Sequence, residues 1–226
     1  MYFDEYYLIL VLPTIVLSLF AQIMVKSTFA KYSRVPCSRR ITGMDAAALL
    51  MRVNNINDVK IEAVRGSLTD HYDPSAKKLR LSEPVYGSAS IAAVGVAAHE
   101  TGHAIQHAVK WGPLVMRSTL VPVANIGSSL GPWLAIAGIF MNKTPLINIG
   151  IILFSAAVLF YVVTLPVEFN ASSRAIAVLR ANNVLTKDEL KGVKKVLTAA
   201  ALTYVASALT AIASLLRLVL LSRRRR

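Results

Sequence analysis

Cysteine is nearly absent: Cys37 is the only one in 226 residues. An intrachain disulfide is therefore excluded, and the chain is compatible with a reducing compartment. Charge is also scarce. Only 16% of residues are charged, and the 12 Asp and Glu are outnumbered by 25 Lys and Arg. Between Glu100 and Asp188 the sole acid is Glu168. No basic run interleaved with aromatics occurs, so the net charge of +13 points to an anionic membrane surface, with no nucleic acid expected. Internal repeats, low-complexity tracts and long linkers are missing as well.

What fills the chain is apolar sequence, 55% of it hydrophobic. A bilayer crossing takes about 20 apolar residues. Four stretches meet that without a single charge: residues 6–25, 118–142, 144–167 and 196–216, the last interrupted by Arg217 before 218–221. Any one of them alone would pass for a buried helix of a soluble core; four in one chain argue for a membrane protein. The first is flanked by Met1-Tyr2-Phe3-Asp4-Glu5, acidic where a secretory signal is basic. It reads as a retained anchor, with Pro13 as a candidate kink.

Lys and Arg placement orients the spans. Thirteen lie in residues 26–117, six in 168–195, and one, Lys143, in the turn between the second and third spans. That turn makes a hairpin, so the two basic regions share a side, read as cytoplasmic, with the acidic N-terminus outside. The basic tail, Arg223 to Arg226, opposes this order if the fourth segment crosses. Crossing, lying in the interface and re-entering all remain open for it. The chain thus divides into an anchor (1–25), a cytoplasmic α+β part (26–117), a transmembrane hairpin (118–167), a second helix region (168–195) and a C-terminal membrane helix with its tail (196–226). The fold class is mainly α, with about four membrane helices and a small α+β unit.

Three of the four histidines fall within nine residues: His99, His103 and His107. The run Ala98-His99-Glu100-Thr101-Gly102-His103 is H-E-x-x-H. Residues 90–109 read as one helix, rich in small and apolar residues and stopped by Trp111-Gly112-Pro113. On it, residues four apart share a face. His99 and His103 then offer two imidazoles to one ion, for which Zn²⁺ is suited, and Glu100 stands where it can act on the ion's water. A hydrolytic zinc site wants a third protein ligand. His107 lies a turn further and is rotated away from His99, so it reads as a supporting group. Glu168, an isolated acid at the end of the third span, is the better ligand. Pro166 reads as beginning a helix with Glu168 in its first turn, and the alternative for Glu168 is an acid that only complements that helix's dipole.

Further residues sit near these in sequence. Asn170 is placed to bond a histidine, and Arg174 to pair with an acid or the substrate carboxylate. His71 and Asp73 fall in Thr69-Asp70-His71-Tyr72-Asp73-Pro74, where Asp73 reads as turn chemistry. Residues 59–64, 68–72 and 78–81 read as strands, and a helix starts at Thr42 or Asp45 and ends near Asn54. Pairing of a peptide substrate along residues 78–82 is a further expectation. Thr186-Lys187-Asp188-Glu189 is a capping box for the last helix, which carries Lys191, Lys194 and Lys195 on a solvated face.

Three stretches carry a family resemblance: residues 97–107, 165–172 and 68–74. The chain resembles the YugP-type membrane zinc metallopeptidases from about Tyr2 to Leu216. That resemblance implies a neutral zinc endopeptidase of prokaryotic cell membranes, distantly similar to HtpX-type gluzincins. Their two histidines and downstream Glu map onto His99, His103 and Glu168. Two positions depart from pattern. Ser172 stands where the HtpX-type proteins usually have an acid, and Asn170 where the YugP-type proteins more often have Asp.

The function expected is a zinc-dependent membrane endopeptidase, one Zn²⁺ per chain, in which Glu100 activates a zinc-bound water. Membrane or membrane-proximal polypeptides are the expected substrates. His71, Tyr204 or Arg174 would serve as a second electrophile, and the sequence does not choose among them. The main rival is a non-proteolytic zinc scaffold or regulator, which needs no Glu100. A transporter is disfavoured because the spans carry almost no ionisable residue.

Overall fold

The structure is a computed structural model that describes residues 4–224; Met1-Tyr2-Phe3 of the acidic flank and Arg225-Arg226 of the basic tail lie outside the described residues. A π-helical turn, Tyr7–Val11, runs into α1 (Leu12–Ser33). Then follow α2 (Gly43–Val53), β1 (Lys60–Val64), β2 (His71–Asp73), β3 (Lys78–Ser82), α3 (Glu83–Tyr86) and α4 (Ile91–Ala108). Three long helices complete the chain: α5 (Gly112–Phe140), α6 (Thr144–Ala181) and α7 (Lys187–Arg223). Four helical stretches are long and apolar enough to cross a membrane: Tyr7–Ser33, Gly112–Phe140, Thr144–Ala181 and Lys187–Arg223. The protein is thus mainly helical, with four membrane-length helices and a mixed α+β part.

The chain forms two compact units. One comprises the described residues up to Gln22, Val115–Pro166, and the residues from Leu202 on. In it, α5 and α6 pack as a hairpin through glycines. A Cβ on Gly131 would fall 2.8 Å from Phe154 N, and one on Gly138 2.6 Å from Ile147 N. Small residues let membrane helices approach this closely and gain van der Waals contact. The connecting turn uses Asn142 at φ +53°, a conformation Asn tolerates, and closes with Lys143 N–H donating to Gly138 O at 2.9 Å. Ala135, Phe154, Ala157 and Leu218 form its buried centre. Arg217 Nε donates to Asp4 Oδ2 at 2.9 Å, which answers the guanidinium's charge within the apolar second half of α7.

The other unit comprises Ile23–Leu114 and Val167–Ala201. The helix expected from Thr42 or Asp45 is α2, with Thr42 as its N-cap. The Thr42 hydroxyl accepts from Asp45 N–H, and the Asp45 carboxylate accepts from Thr42 N–H, a reciprocal cap. Its three-stranded sheet has the order β1-β3-β2, with β3 parallel to β1 and antiparallel to β2. Leu79 and Leu81 of β3 are fully buried against Ala47, Met51, Ala93 and Ala97, so one sheet face packs on α2 and α4. A second cluster joins Leu50, Val94 and Ala98 to Leu179, Leu190 and Val193 of α6 and α7. The capping box at Thr186 forms, and Glu189 also accepts from Ser38 N–H at 2.6 Å.

Four sequence expectations are corrected. Pro166 does not begin a helix: α6 runs through it unbroken. A proline forfeits one backbone bond, a loss that membrane helices tolerate when neighbours compensate. Arg217 does not interrupt the last span, since α7 continues to Arg223. The strand expected over 68–72 is β2 and starts only at His71. Gly66 at φ +105° and Leu68 at φ +60° turn the chain just before it, and Asp70 caps Ser82 N–H at 2.7 Å. Finally, β3 is the central strand, so its backbone is committed to β1 and β2, and a peptide cannot add along 78–82. The open edges are those of β1 and β2.

Candidate metal centre

The helix that carries the candidate ligands is fixed from its first residue. Ser90 caps α4 by accepting from Ala93 N–H at 3.2 Å, worth about 1 kcal/mol. From Ile91 onward small residues let α4 bury almost its whole length. His99, Glu100 and His103 fall on its second half. Gly102, inside the motif, faces α6: a Cβ there would sit 2.5 Å from Ala171 O. Only glycine permits that approach, and the approach brings Glu168, one turn earlier on α6, against the two histidines.

The donors converge. Glu168 Oε2 lies 3.3 Å from His99 Nε2 and 3.5 Å from His103 Nε2. All three donor atoms lie within 4.8 Å of one another. Tetrahedral zinc with bonds near 2.1 Å separates its ligand atoms by about 3.4 Å. The donor set, two imidazoles and a carboxylate, also suits that ion. Glu168 is 2% exposed and His103 8%. Burial by itself opposes a charge on His103. The Glu168 hydrogen bond and the negative charges of Glu100 and Glu168 outweigh it and raise the imidazole's affinity for a proton. The same field favours a cation at this point. Glu100 is buried beside His99 on α4.

The remaining ring nitrogens face away from this centre and are held. His99 Nδ1 lies 3.1 Å from Ser172 Oγ. His103 Nδ1 lies 3.0 Å from Gln106 Oε1, an acceptor, so Nδ1 carries the proton and Nε2 offers its lone pair inward. Gln106 is fully buried, and its amide donates to Val167 O at 2.8 Å and to Asn170 Oδ1 at 3.0 Å. Arg174 Nε donates to the same Asn170 oxygen at 2.7 Å. One amide therefore ties a histidine on α4 to the backbone beside Glu168 on α6.

Gln106 and Ser172 escaped the sequence reading as histidine partners. Their signals were local: Gln106 is three residues past His103, and Ser172 four past Glu168. Asn170 reaches a histidine only through Gln106, and Arg174 engages Asn170. His107 turns to β2, where its Nδ1 lies 2.7 Å from the Tyr72 hydroxyl. Burial, with the charges of Asp58 and Asp73, pushes that phenol up to about 12, so it stays protonated. His71 is exposed and bonds Thr69 O at 2.8 Å, with Arg80 Nη1 3.2 Å from its other nitrogen. Asp73 makes the expected turn, accepting from Ser75 and Ala76 N–H, and pairs with Arg80 at 2.9 Å. Tyr204 is half-buried on α7, in the other unit.

The chain matches the model of a protein family described as "Putative neutral zinc metallopeptidase" over residues 7–223. It is 49% identical over 215 residues to the "Putative membrane protease YugP" of Bacillus subtilis (strain 168), covering 95% of this chain and 96% of that protein. No solved structure matches.

Proposed function

Since the chain belongs to the family of neutral zinc metallopeptidases, we propose that it is a membrane endopeptidase in which His99, His103 and Glu168 hold one zinc ion and Glu100 is the general base. The observation that carries this reading is the convergence of both Nε2 atoms on Glu168 Oε2, at 3.3 and 3.5 Å, beside a buried Glu100. Bound zinc would supply Lewis acidity, polarising a peptide carbonyl and bringing a water's pKa toward about 7. The Glu100 carboxylate takes the proton of the attacking water as the new C–O bond forms. It then delivers that proton to the amine as the C–N bond breaks. Ser172 and Gln106 hold the two rings so that both Nε2 atoms keep pointing inward.

Four membrane-length helices support a substrate embedded in the bilayer or close to it. The basic residues of 26–117 and 168–195 support a cytoplasmic site. Glu100→Gln keeps the size of the side chain and removes the base. In the purified chain, cleavage of an unfolded polypeptide such as casein should fall at least about 10²-fold while zinc stays at one per chain. Undiminished cleavage would refute the role of Glu100. A chain that binds zinc and cleaves nothing in its native form would favour the scaffold reading.

A further inference from the structure

Segments of α1, α5, α6 and α7 line an open groove of about 540 Å³ within the unit that contains Gln22, Val115–Pro166 and the residues from Leu202 on. Ligand sites range over roughly 300–1,000 Å³. This one is drawn out. Its wall on α7 runs from Ser207 to Leu218, roughly 16 Å at the rise of a helix. Pro132, Ile136, Phe154 and Leu218 make part of its lining apolar.

The rest is polar. The Ser207 and Thr210 hydroxyls donate to Thr203 O at 2.9 Å and Ala206 O at 2.8 Å, which leaves their oxygen lone pairs as acceptors. Gln22, exposed on α1, and the half-buried Tyr161 and Ser214 line the same groove, and their side chains have no hydrogen-bond partner among the described residues. Arg217 stands at one end with its charge already answered by Asp4. The groove therefore selects for neither a cation nor an anion.

Among membrane spans there is little water to satisfy an amide, a phenol and a hydroxyl, and leaving them unpaired is costly. The occupant that removes this cost must be long, largely apolar and able to hydrogen-bond. An acyl chain has the length and leaves all three groups unpaired. A compact polar molecule fills only part of the groove. A stretch of polypeptide carrying a polar residue meets every requirement.

We propose that this groove seats a membrane-embedded stretch of the polypeptide that the enzyme cuts, with Gln22, Tyr161 and Ser214 as its hydrogen-bonding wall. The identity of the occupant rests on the peptidase reading above; the groove and its unpaired groups do not.

The test uses the full chain carrying Glu100→Gln, so that bound polypeptide stays intact, reconstituted in phosphatidylcholine vesicles. Two synthetic membrane-spanning peptides of about 21 residues serve as probes, one of Leu and Ala only, the other with a central Asn-Ser pair, each with a diazirine at its centre. Irradiation and mass spectrometry read the yield and position of crosslinks. The Asn-Ser peptide is expected to crosslink to residues 207–218 at least about fivefold more than the plain peptide. Combined Gln22→Leu, Tyr161→Phe and Ser214→Ala should bring it down to the plain level. Ala211→Phe, which narrows the groove and spares those three groups, should lower it independently. Each variant is accepted only with wild-type thermal unfolding, and the two routes do not share a substitution. Equal labelling by both peptides, or labelling unmoved by either variant, would overturn the proposal. A diazirine phospholipid that labels 207–218 and is not displaced by the Asn-Ser peptide would overturn it in favour of lipid. Crosslinking needs no hydrolysis. Binding by a chain whose native form cuts nothing would therefore remove the peptidase reading alone, and absent binding beside normal cutting would remove the groove alone.

Discussion

At the scale of single residues, Gln106 links the two helices that carry the candidate ligands. Its one amide accepts from His103 and donates to Val167 O and Asn170, so it fixes both a ring orientation and the approach of α6. Groups that orient metal-bound histidines are typically worth 10–100-fold in metal affinity. Gln106→Leu should weaken zinc binding by about that factor in chelator competition, and Gln106→Glu, which keeps the acceptor for His103, should restore part of it. Leu at wild-type affinity would reduce Gln106 to packing. Both histidines are held by neutral partners, an amide and a hydroxyl, and no carboxylate among the described residues bonds either Nδ1. The motif itself was legible because a helical i,i+4 spacing is a local property. Gln106 was not legible, because its partners on α6 lie 61 and 64 residues away in the chain.

At the scale of elements, close helix approach decides what can be built. Gly102 lets α4 meet Ala171 on α6, and Gly131 lets α5 meet Phe154. A Cβ on Gly131 would stand 2.8 Å from a backbone nitrogen, which cannot step aside as a flexible side chain would. Gly131→Val should therefore destabilise the α5–α6 hairpin by about 1–3 kcal/mol, read as a lower midpoint of unfolding in detergent. An unchanged midpoint would mean that the hairpin tolerates separation. Helix existence and extent were readable where apolar runs are long, as in α4 and the four spans. Boundaries were less so. Pro166 looked like a helix start, yet tertiary packing carries α6 through it, which turns Glu168 from a first-turn acid into an interior residue. The short strands were placed from alternation alone, and the order β1-β3-β2, which closes β3 to a peptide, depends on long-range pairing that alternation does not encode.

At the scale of the whole molecule, the Asp4–Arg217 pair bears on the tail left open by the sequence. Asp4 precedes the first helix and Arg217 lies near the end of the last, and they bond at 2.9 Å. An anchor and a final helix that meet at those ends run antiparallel, which is what a full crossing by α7 requires. In intact cells or sealed vesicles, a cysteine introduced at exposed Lys191 should be reached by a thiol reagent only from the cytoplasmic side; labelling from outside would invert the orientation. Cys37 is 1% exposed and adds no background. The account as a whole stands on one zinc ion held by three residues from two helices. The most direct measurement is metal content, by mass spectrometry, of the purified wild type, His103→Ala and Glu168→Gln, with zinc affinity for each. The account predicts about one zinc per chain in the wild type, loss in His103→Ala, and affinity weakened by orders of magnitude in Glu168→Gln. Wild-type affinity in Glu168→Gln, or a metal-replete wild type without zinc, would contradict it.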